Sequence, residues 1–345
     1  MKYAGYLLLV VLLVSCSEEP PQEKAELKGE RFQTVESNLE TPWNIEHDEN
    51  VFYITERPGN IVSWSNGDDP ERLPVETEKE ILQNGEGGLL GFTLNPERKG
   101  EAIIYHTYQE EGVIKNRVVL IEKGESQWRE KGVLLEGIPG APYHNGGRIE
   151  IGPDGKLYIT TGDASEENLG QKRESLAGKI LRMNIDGTIP EDNPVQGSFL
   201  YSYGHRNSQG LTWNSEGELF SSEHGPNNHD EINKIEAGKN YGWPTIVGEE
   251  KNEGMMSPLY QTGDRTWAPS GLSAFDGELY VATLRGEALR RISQQGEDPE
   301  IITDRYGRIR DVEVIEGEIY FITNNTDGRG NADEKDDRLI RFSPE

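Results

Sequence analysis

Residues 155–160 read GKLYIT, an aromatic inside an apolar run that follows a turn, and the form recurs along the chain. It returns as NVFYIT (50–55), AIIYHT (102–107), GELFSS (217–222), GELYVA (277–282) and GEIYFI (317–322), centred on Tyr53, Tyr105, Phe220, Tyr280 and Tyr320. A strand candidate precedes each one: TPWNIEHD, LLGFTLNP, GGRIEIGPDG, QGLTWNSEG, SGLSAFDG and IRDVEVIEG. A third follows each at variable distance: IVSW, VVLI, KILRM, EINKI, ALRRI and RLIRF. Asp154-Gly155, Glu216-Gly217, Asp276-Gly277 and Glu316-Gly317 read as tight turns between first and second strands, with Gly supplying the positive φ of a short hairpin. Three recurrent strands in each of six units, without helical periodicity, predict an all-β fold, a six-bladed β-propeller. From Cys16 onward each unit has about 55 residues, near the blade lengths of propeller repeats. The chain stops just after RLIRF, so residues 31–39 (RFQTVESNL) are expected to supply the outer strand of the last blade. The longer insertions fall after second strands, at 161–179 and 221–230.

The 345 residues contain 62 Asp and Glu against 35 Lys and Arg, a formal net charge of −27, with 40 Gly, 18 Pro and one Cys. Such a charge argues against nucleic acid, whose counterions must be displaced by Lys and Arg, and against electrostatic docking on an anionic membrane. One Cys excludes an internal disulfide framework and any CxxC metal or redox motif. That Cys ends Leu13-Val14-Ser15-Cys16, after an apolar run from Tyr6 to Val14 too short to span a bilayer. The pattern is similar to a bacterial lipobox. Residues 1–15 then read as a lipoprotein signal peptide, Cys16 as the acylated residue, 16–30 as a polar flexible tether, and 31–345 as the propeller. The expectation is an exported lipoprotein, periplasmic or anchored at the outer membrane or cell surface, touching membrane through its lipid alone.

In a propeller the starts of first strands and the loops after second strands open on one face. The polar oddities of this sequence fall in those places. First strands begin near Pro42-Trp43, Glu86-Gly87-Gly88, His144-Asn145, Arg206-Asn207, Trp267 to Ser270, and Arg308 with Arg310. Second strands are followed by Gly162-Asp163, His224-Gly225-Pro226, Arg285 and Asn324-Asn325. Arg206, Arg285, Arg308 and Arg310 would gather at one mouth, forked donors suited to carboxylates or phosphates. His144 beside Asp163 could act as an oriented general base. The acidic loops 228–231 and 324–337 could hold Ca²⁺ through hard oxygens or be plain solvated loops. No Gly-x-Ser-x-Gly elbow and no GxGxxG between strand and helix is present, which leaves α/β-hydrolase and nicotinamide chemistry unsupported.

Longer motifs sharpen this. GGLLGFTLNP (87–96), HNGGRIEIGPDGKLYITTGD (144–163), GKILRMNIDG (178–187), YGHRNSQGL (203–211), SEHGPNNHDEIN (222–233), NYGWP (240–244), APSG (268–271) and RIRDV (308–312) occur in order. Over residues 38–342 the chain resembles the soluble glucose/sorbosone dehydrogenase family, the pyrroloquinoline quinone (PQQ)-dependent aldose sugar dehydrogenases. The resemblance implies PQQ and Ca²⁺ as cofactors, an aldose sugar as substrate, oxidation at C1 to a lactone, and an external electron acceptor, cytochrome or quinone. It implies that His144 takes the anomeric proton while the C1 hydride passes to the quinone, and that Asp163 orients His144. Arg206 and Asn207 would hold the quinone oxygens, and Arg308 and Arg310 the cofactor carboxylates. The carbonyls of Gly225 and Pro226 would bind the catalytic Ca²⁺, with Glu231 and the carbonyl of Tyr241 at a second, structural calcium. Two positions depart from the glucose-oxidising pattern: Glu86 stands where Gln is usual and contacts substrate, and Arg285 stands where a Lys meets the cofactor. A cofactor-free calcium propeller hydrolysing lactones and a non-catalytic anchored binding propeller are the alternatives. A neutral lactone needs no Arg cluster.

Overall fold

The computed structural model describes residues 31–65 and 67–344, together with Met1. The signal segment, Cys16 and the tether lie outside the described residues. Among the described residues no helix is long and apolar enough to cross a membrane. They are all-β apart from one 3₁₀ turn at Glu167–Leu169.

After β1 (Phe32–Glu36) the chain lays down successive antiparallel meanders. The first is β2 (Pro42–Asp48), β3 (Val51–Glu56), β4 (Asn60–Ser65) and β5 (Glu71–Glu76); the next is β6 (Leu89–Leu94), β7 (Glu101–Glu110), β8 (Val113–Lys123) and β9 (Trp128–Pro139). A short parallel pairing, Val75 opposite Trp128 and Glu76 opposite Arg129, fuses β5 to β9 and makes these two one sheet. Then come β10 (Ile149–Ile151), β11 (Leu157–Thr161), β12 (Lys179–Met183) and β13 (Leu200–Tyr203). They are followed by β14 (Ser208–Trp213), β15 (Leu219–Glu223), β16 (Glu231–Ile235) and β17 (Tyr260–Gln261). Next are β18 (Pro269–Phe275), β19 (Glu278–Thr283), β20 (Ala288–Ser293) and β21 (Glu300–Thr303), and last β22 (Ile309–Ile315), β23 (Glu318–Thr323) and β24 (Leu339–Phe342). The last sheet takes its outer strand from the other end of the chain: β1 runs antiparallel to β24, and the Phe32 ring stacks on Phe342 at 4.9 Å.

The first strands touch one another in the cyclic order β2, β6, β10, β14, β18, β22 and back to β2, so the sheets stand radially round an axis as a β-propeller. The aromatic of each second strand packs between sheets. Tyr158 meets Trp213 of the next sheet edge-on at 5.0 Å, and Tyr53 stacks on Phe92 at 5.7 Å.

Two of the four expected tight turns differ. Asp276-Gly277 and Glu316-Gly317 are two-residue hairpins with φ of 49° and 81°, and 52° and 83°. Asp154-Gly155 and Glu216-Gly217 instead sit in longer loops, because Asp154 and Asn214 side chains hold the turn: Asp154 Oδ1 accepts from Lys156 N, and Asn214 Oδ1 accepts from Glu216 and Glu218 N.

On the axis the first strands β2, β6, β14, β18 and β22 each break register near their starts, between Pro42 and Asn44, Leu89 and Phe92, Ser208 and Gly210, Pro269 and Leu272, and Ile309 and Asp311. Such bulges re-aim side chains. Three of the extra residues are Trp43, Gln209 and Arg310, and Arg310 Nη1 donates to Gln209 Oε1 at 2.8 Å. Backbones here lie so close that a Cβ on Gly271 would stand 1.9 Å from Asp311 Oδ1. Beside them Arg148, next to β10, donates from Nη1 to Asn44 Oδ1 and Asp311 Oδ2 at 2.9 Å each and from Nε to the Gln209 carbonyl at 3.1 Å. Its Nη2 meets Asp311 Oδ1 at 2.8 Å, and its guanidinium lies 4.4 Å from the Trp43 ring centroid. Asp311 Oδ2 also accepts the Ile45 N–H.

Further along the same first strands stand Glu46, Glu150 and Glu313. Burial, with Asp48, pushes Glu46 up to about 7; burial, with neighbouring carboxylates that include Glu46, pushes Glu313 up to about 8 and Glu150 well above the carboxylate range.

Arg148→Met strands Asp311 as a buried charge and is expected to cost about 3–5 kcal/mol in urea unfolding. Adding Asp311→Asn removes that charge and should recover part of the loss. A carboxyl whose folded value is raised binds its proton more tightly in the native state, so it lowers stability as pH rises from its unfolded value, about 4.3, through 8. Glu313→Gln should therefore flatten the decline of the unfolding free energy measured between pH 5 and 8.5.

Candidate active site

The loops that follow second strands, and the starts of first strands, meet at one end of the axis in a cleft of about 190 Å³. Glu86, Arg206, Gly225, Pro226, Arg285 and Arg308 all line it, as do Asp230 and Arg329. Glu231 and Tyr241 line a narrow recess beside it, which shares Arg206, His224, Gly225 and Pro226 with the cleft. Arg310 and Asn207 are buried and do not line the cleft surface. A larger surface recess along Gly248, Lys251 and Tyr260 lacks any such convergence of guanidinium and imidazole groups.

His144 is held in a conformation that L-residues seldom adopt, with φ of 62°. Its carbonyl sits where a Cβ on Gly162 would be, 1.9 Å away, and accepts from Ala164 N. The next residue locks the loop: Asn145 Oδ1 accepts from Asn116 Nδ2 and Ala141 N, and its Nδ2 donates to the Ala141 carbonyl. The His144 Nδ1 lies 2.8 Å from Asp163 Oδ1, which assigns the proton to Nδ1 and leaves Nε2 as a free acceptor. Asp163 is fully buried, and both its carboxylate oxygens are engaged: Oδ1 also accepts from Ser165 N and Oδ2 from Trp243 Nε1 at 2.8 Å.

Trp243 has a second contact, its ring 5.3 Å from the Arg206 guanidinium carbon. Arg206 Nη1 donates to the His224 carbonyl at 3.2 Å, while its backbone N–H donates to Glu223. Burial lowers Arg206 and brings Arg310 down to about 9, the latter with help from Arg57. Arg308 spends three donors on the Asn324 and Leu284 carbonyls and on Asp327 Oδ2, the last at 2.7 Å, so two of its five N–H bonds remain. Burial pushes His224 down to about 4. Burial and Glu223 push Glu231 up to about 8.

Buried donors without an acceptor cluster here: Arg206 Nε, Asn207 Nδ2 and Arg310 Nε. Donors stripped of water and left unpaired are costly, and an anionic ligand would satisfy them. The loop 225–229 is drawn so tight that a Cβ on Gly225 would meet the carbonyl oxygens of Asn228 and His229 at 2.0 and 2.6 Å. Backbone carbonyls so crowded suit a hard cation. Among the described residues no group of three or more His, Cys, Asp or Glu side chains stands ready to hold a metal. In the loop 324–337, Asp337 is buried and spends its carboxylate on Thr323, Asn325 and Thr326.

A model of the glucose/sorbosone dehydrogenase family matches residues 39–340. The chain belongs to that family. It is 33% identical over 287 residues to quinoprotein glucose dehydrogenase B of Acinetobacter calcoaceticus, covering 70% of this chain and 58% of that longer protein. It is 28% identical to an aldose sugar dehydrogenase of Escherichia coli, over 90% of this chain and 92% of the relative. Among solved structures, a PQQ-bound aldose sugar dehydrogenase from Streptomyces coelicolor superposes with a TM-score of 0.84 at 36% identity, over 90% of this chain and 96% of that one. A glucose dehydrogenase-like oxidoreductase of Thermus thermophilus gives 0.84 at 39%, over 90% and 99%.

Sequence reasoning missed Trp243, Glu223, Asp230 and Arg57. Trp243 was in a quoted motif, yet nothing local marks it as the partner of Asp163. Asp230 is the hub under the calcium-like loop, accepting from Gly225 N at 2.9 Å and from Trp267 and Ala268 N. Arg57 clamps the Gly85 and Gly87 carbonyls on either side of Glu86. Trp243→Phe keeps the ring and removes the donor to Asp163 Oδ2. It should lower unfolding free energy by about 1–3 kcal/mol, read from the shift of the denaturant midpoint.

Proposed function

We propose that this protein is a six-bladed β-propeller enzyme that oxidises aldose sugars at C1 to lactones, with PQQ and Ca²⁺, and delivers the electrons to an external acceptor. The observation that carries the reading is the His144–Asp163 pair beside a cleft rich in guanidinium groups and unpaired buried donors. PQQ bears three carboxylates as well as quinone oxygens, which is the kind of ligand that such donors lack. The similarity to a PQQ-bound structure at 36% identity supports it. When bound, PQQ supplies the hydride acceptor, and with it the two-electron chemistry that no side chain here can perform.

The chain's own residues do the rest. Arg206, Asn207 and Arg310 would pair their free donors with the cofactor, and Arg285 and the two spare N–H bonds of Arg308 would meet its carboxylates. The carbonyls of Gly225 and Pro226 would hold one Ca²⁺; Glu231 and the Tyr241 carbonyl would hold the other. His144 would receive the anomeric hydroxyl proton at Nε2. Asp163, already fixed on Nδ1–H, would stabilise the imidazolium that results. Glu86 would accept a hydrogen bond from a sugar hydroxyl. The lipobox-like Leu13-Val14-Ser15-Cys16 supports an enzyme exported from the cytoplasm and tethered by a lipid on Cys16.

Titrating apo-protein with PQQ, with and without Ca²⁺, should give a calcium-dependent change in the quinone absorption and sugar-dependent reduction of an artificial acceptor. Absence of turnover over a panel of aldoses once PQQ is bound would refute the proposal. His144→Ala should retain the PQQ absorption change and lose about 10²–10⁴-fold in kcat.

A further inference from the structure

The insertion between β23 and β24 carries one residue across the mouth. Arg329 comes from the last sheet, yet its Nη1 lies 3.2 Å from Oε1 of Glu86, which precedes β6. Its guanidinium carbon stands 5.5 Å from the ring centroid of Tyr143, which is 51% exposed and next to His144. The other oxygen of the same carboxylate, Glu86 Oε2, accepts the backbone N–H of His144 at 3.2 Å. Arg329, Glu86 and His144 thus form a chain over the cleft that two of them line. The loop that presents Arg329 is anchored from below: Asp327 Oδ1 accepts the Arg329 N–H at 2.9 Å, and Asp327 Oδ2 holds Arg308.

We infer that Arg329 is a positioning residue that determines substrate affinity, by fixing the Glu86 carboxylate in its charged form as the acceptor for a sugar hydroxyl. The inference rests on the aldose-oxidising reading above. A carboxylate is acceptor-only when ionised, so a neutral polyol can offer it an O–H donor, whereas a protonated Glu86 would compete as a donor itself. Burial alone would raise Glu86, yet it is held below its usual range by positive neighbours and the His144 N–H. The charge of His224 contributes most to that lowering, ahead of Arg329, yet burial works against a charge on His224 itself. Arg206, Arg57 and Arg310 also act on Glu86 through space, but their hydrogen bonds go elsewhere. Arg329 is the cation that bonds the carboxylate directly, and it leaves Oε2 turned to His144. The remaining acceptor capacity of Glu86 is then aimed at the space beside His144.

The test uses full-length protein loaded with PQQ and Ca²⁺. Arg329→Met should raise KM for the best aldose about tenfold while kcat stays within about twofold, and Arg329→Lys should restore part of the affinity. The pKa seen in the pH profile of kcat/KM on its acid limb should move up in Arg329→Met, because Glu86 loses its bonded cation. The sugar-induced rise in melting temperature should shrink in parallel, while PQQ titration and the melting temperature without sugar stay as in the wild type. In a Glu86→Gln background, Arg329→Met should add no further KM effect. An unchanged KM in Arg329→Met, or an equal effect with and without Glu86, would overturn the inference while leaving the aldose-oxidising reading intact. A wild type that binds PQQ but turns over no aldose would overturn both.

Discussion

Every sheet of this protein converges on the axis, and what holds the axis is the buried pairing of Arg148 with Asp311. One guanidinium touches side chains or backbone of β2, β14 and β22 from its place beside β10. A buried ion pair is weak evidence for net stability, since desolvation cancels much of its Coulomb energy. Its value here is geometric. Bidentate contact to Asp311, stacking on Trp43 and the bond to Asn44 are met together in one arrangement of the inner strands. Shifting one strand by a residue would leave a charge without its partner in a place where water is scarce.

The bulges beside the pair add Trp43, Gln209 and Arg310 to the inner strands. Arg310 is fixed there by Gln209 and Asn324. His144 shows a second constraint: a strained backbone is tolerable where Asn145, Gly162 and Asp163 all over-determine it.

Much of this was legible in the sequence, for a physical reason. Second strands are buried on both faces, so they read as apolar runs around Tyr or Phe. Apart from the one expected at residues 31–39, the outer strands were not read, because edge strands face water on one side and follow no strong pattern; β5 (ERLPVE) contains a Pro, and β17 is two residues long. The candidate positions His144, Asp163 and Arg206 could be named because ordered motifs carry them, and Glu86 because it adjoins one. Trp243 and Arg329 could not, since their partners lie far away in sequence: Asp163 is 80 residues from Trp243, and Glu86 is 243 from Arg329. The bulges left no mark at all, as register depends on neighbours rather than on composition.

The pairing of β1 with β24 has a consequence for how the molecule is made. Of the described strands, the first has the last as its partner, with Phe32 on Phe342 across the join. A growing chain can form its early meanders during synthesis, but the circle stays open, with an unpaired edge at β1, until β24 has emerged. Contacts that join the two ends of a chain are the slowest to form, because loop closure must come before any of their reward. Closure of the ring is therefore a late, concerted step of folding.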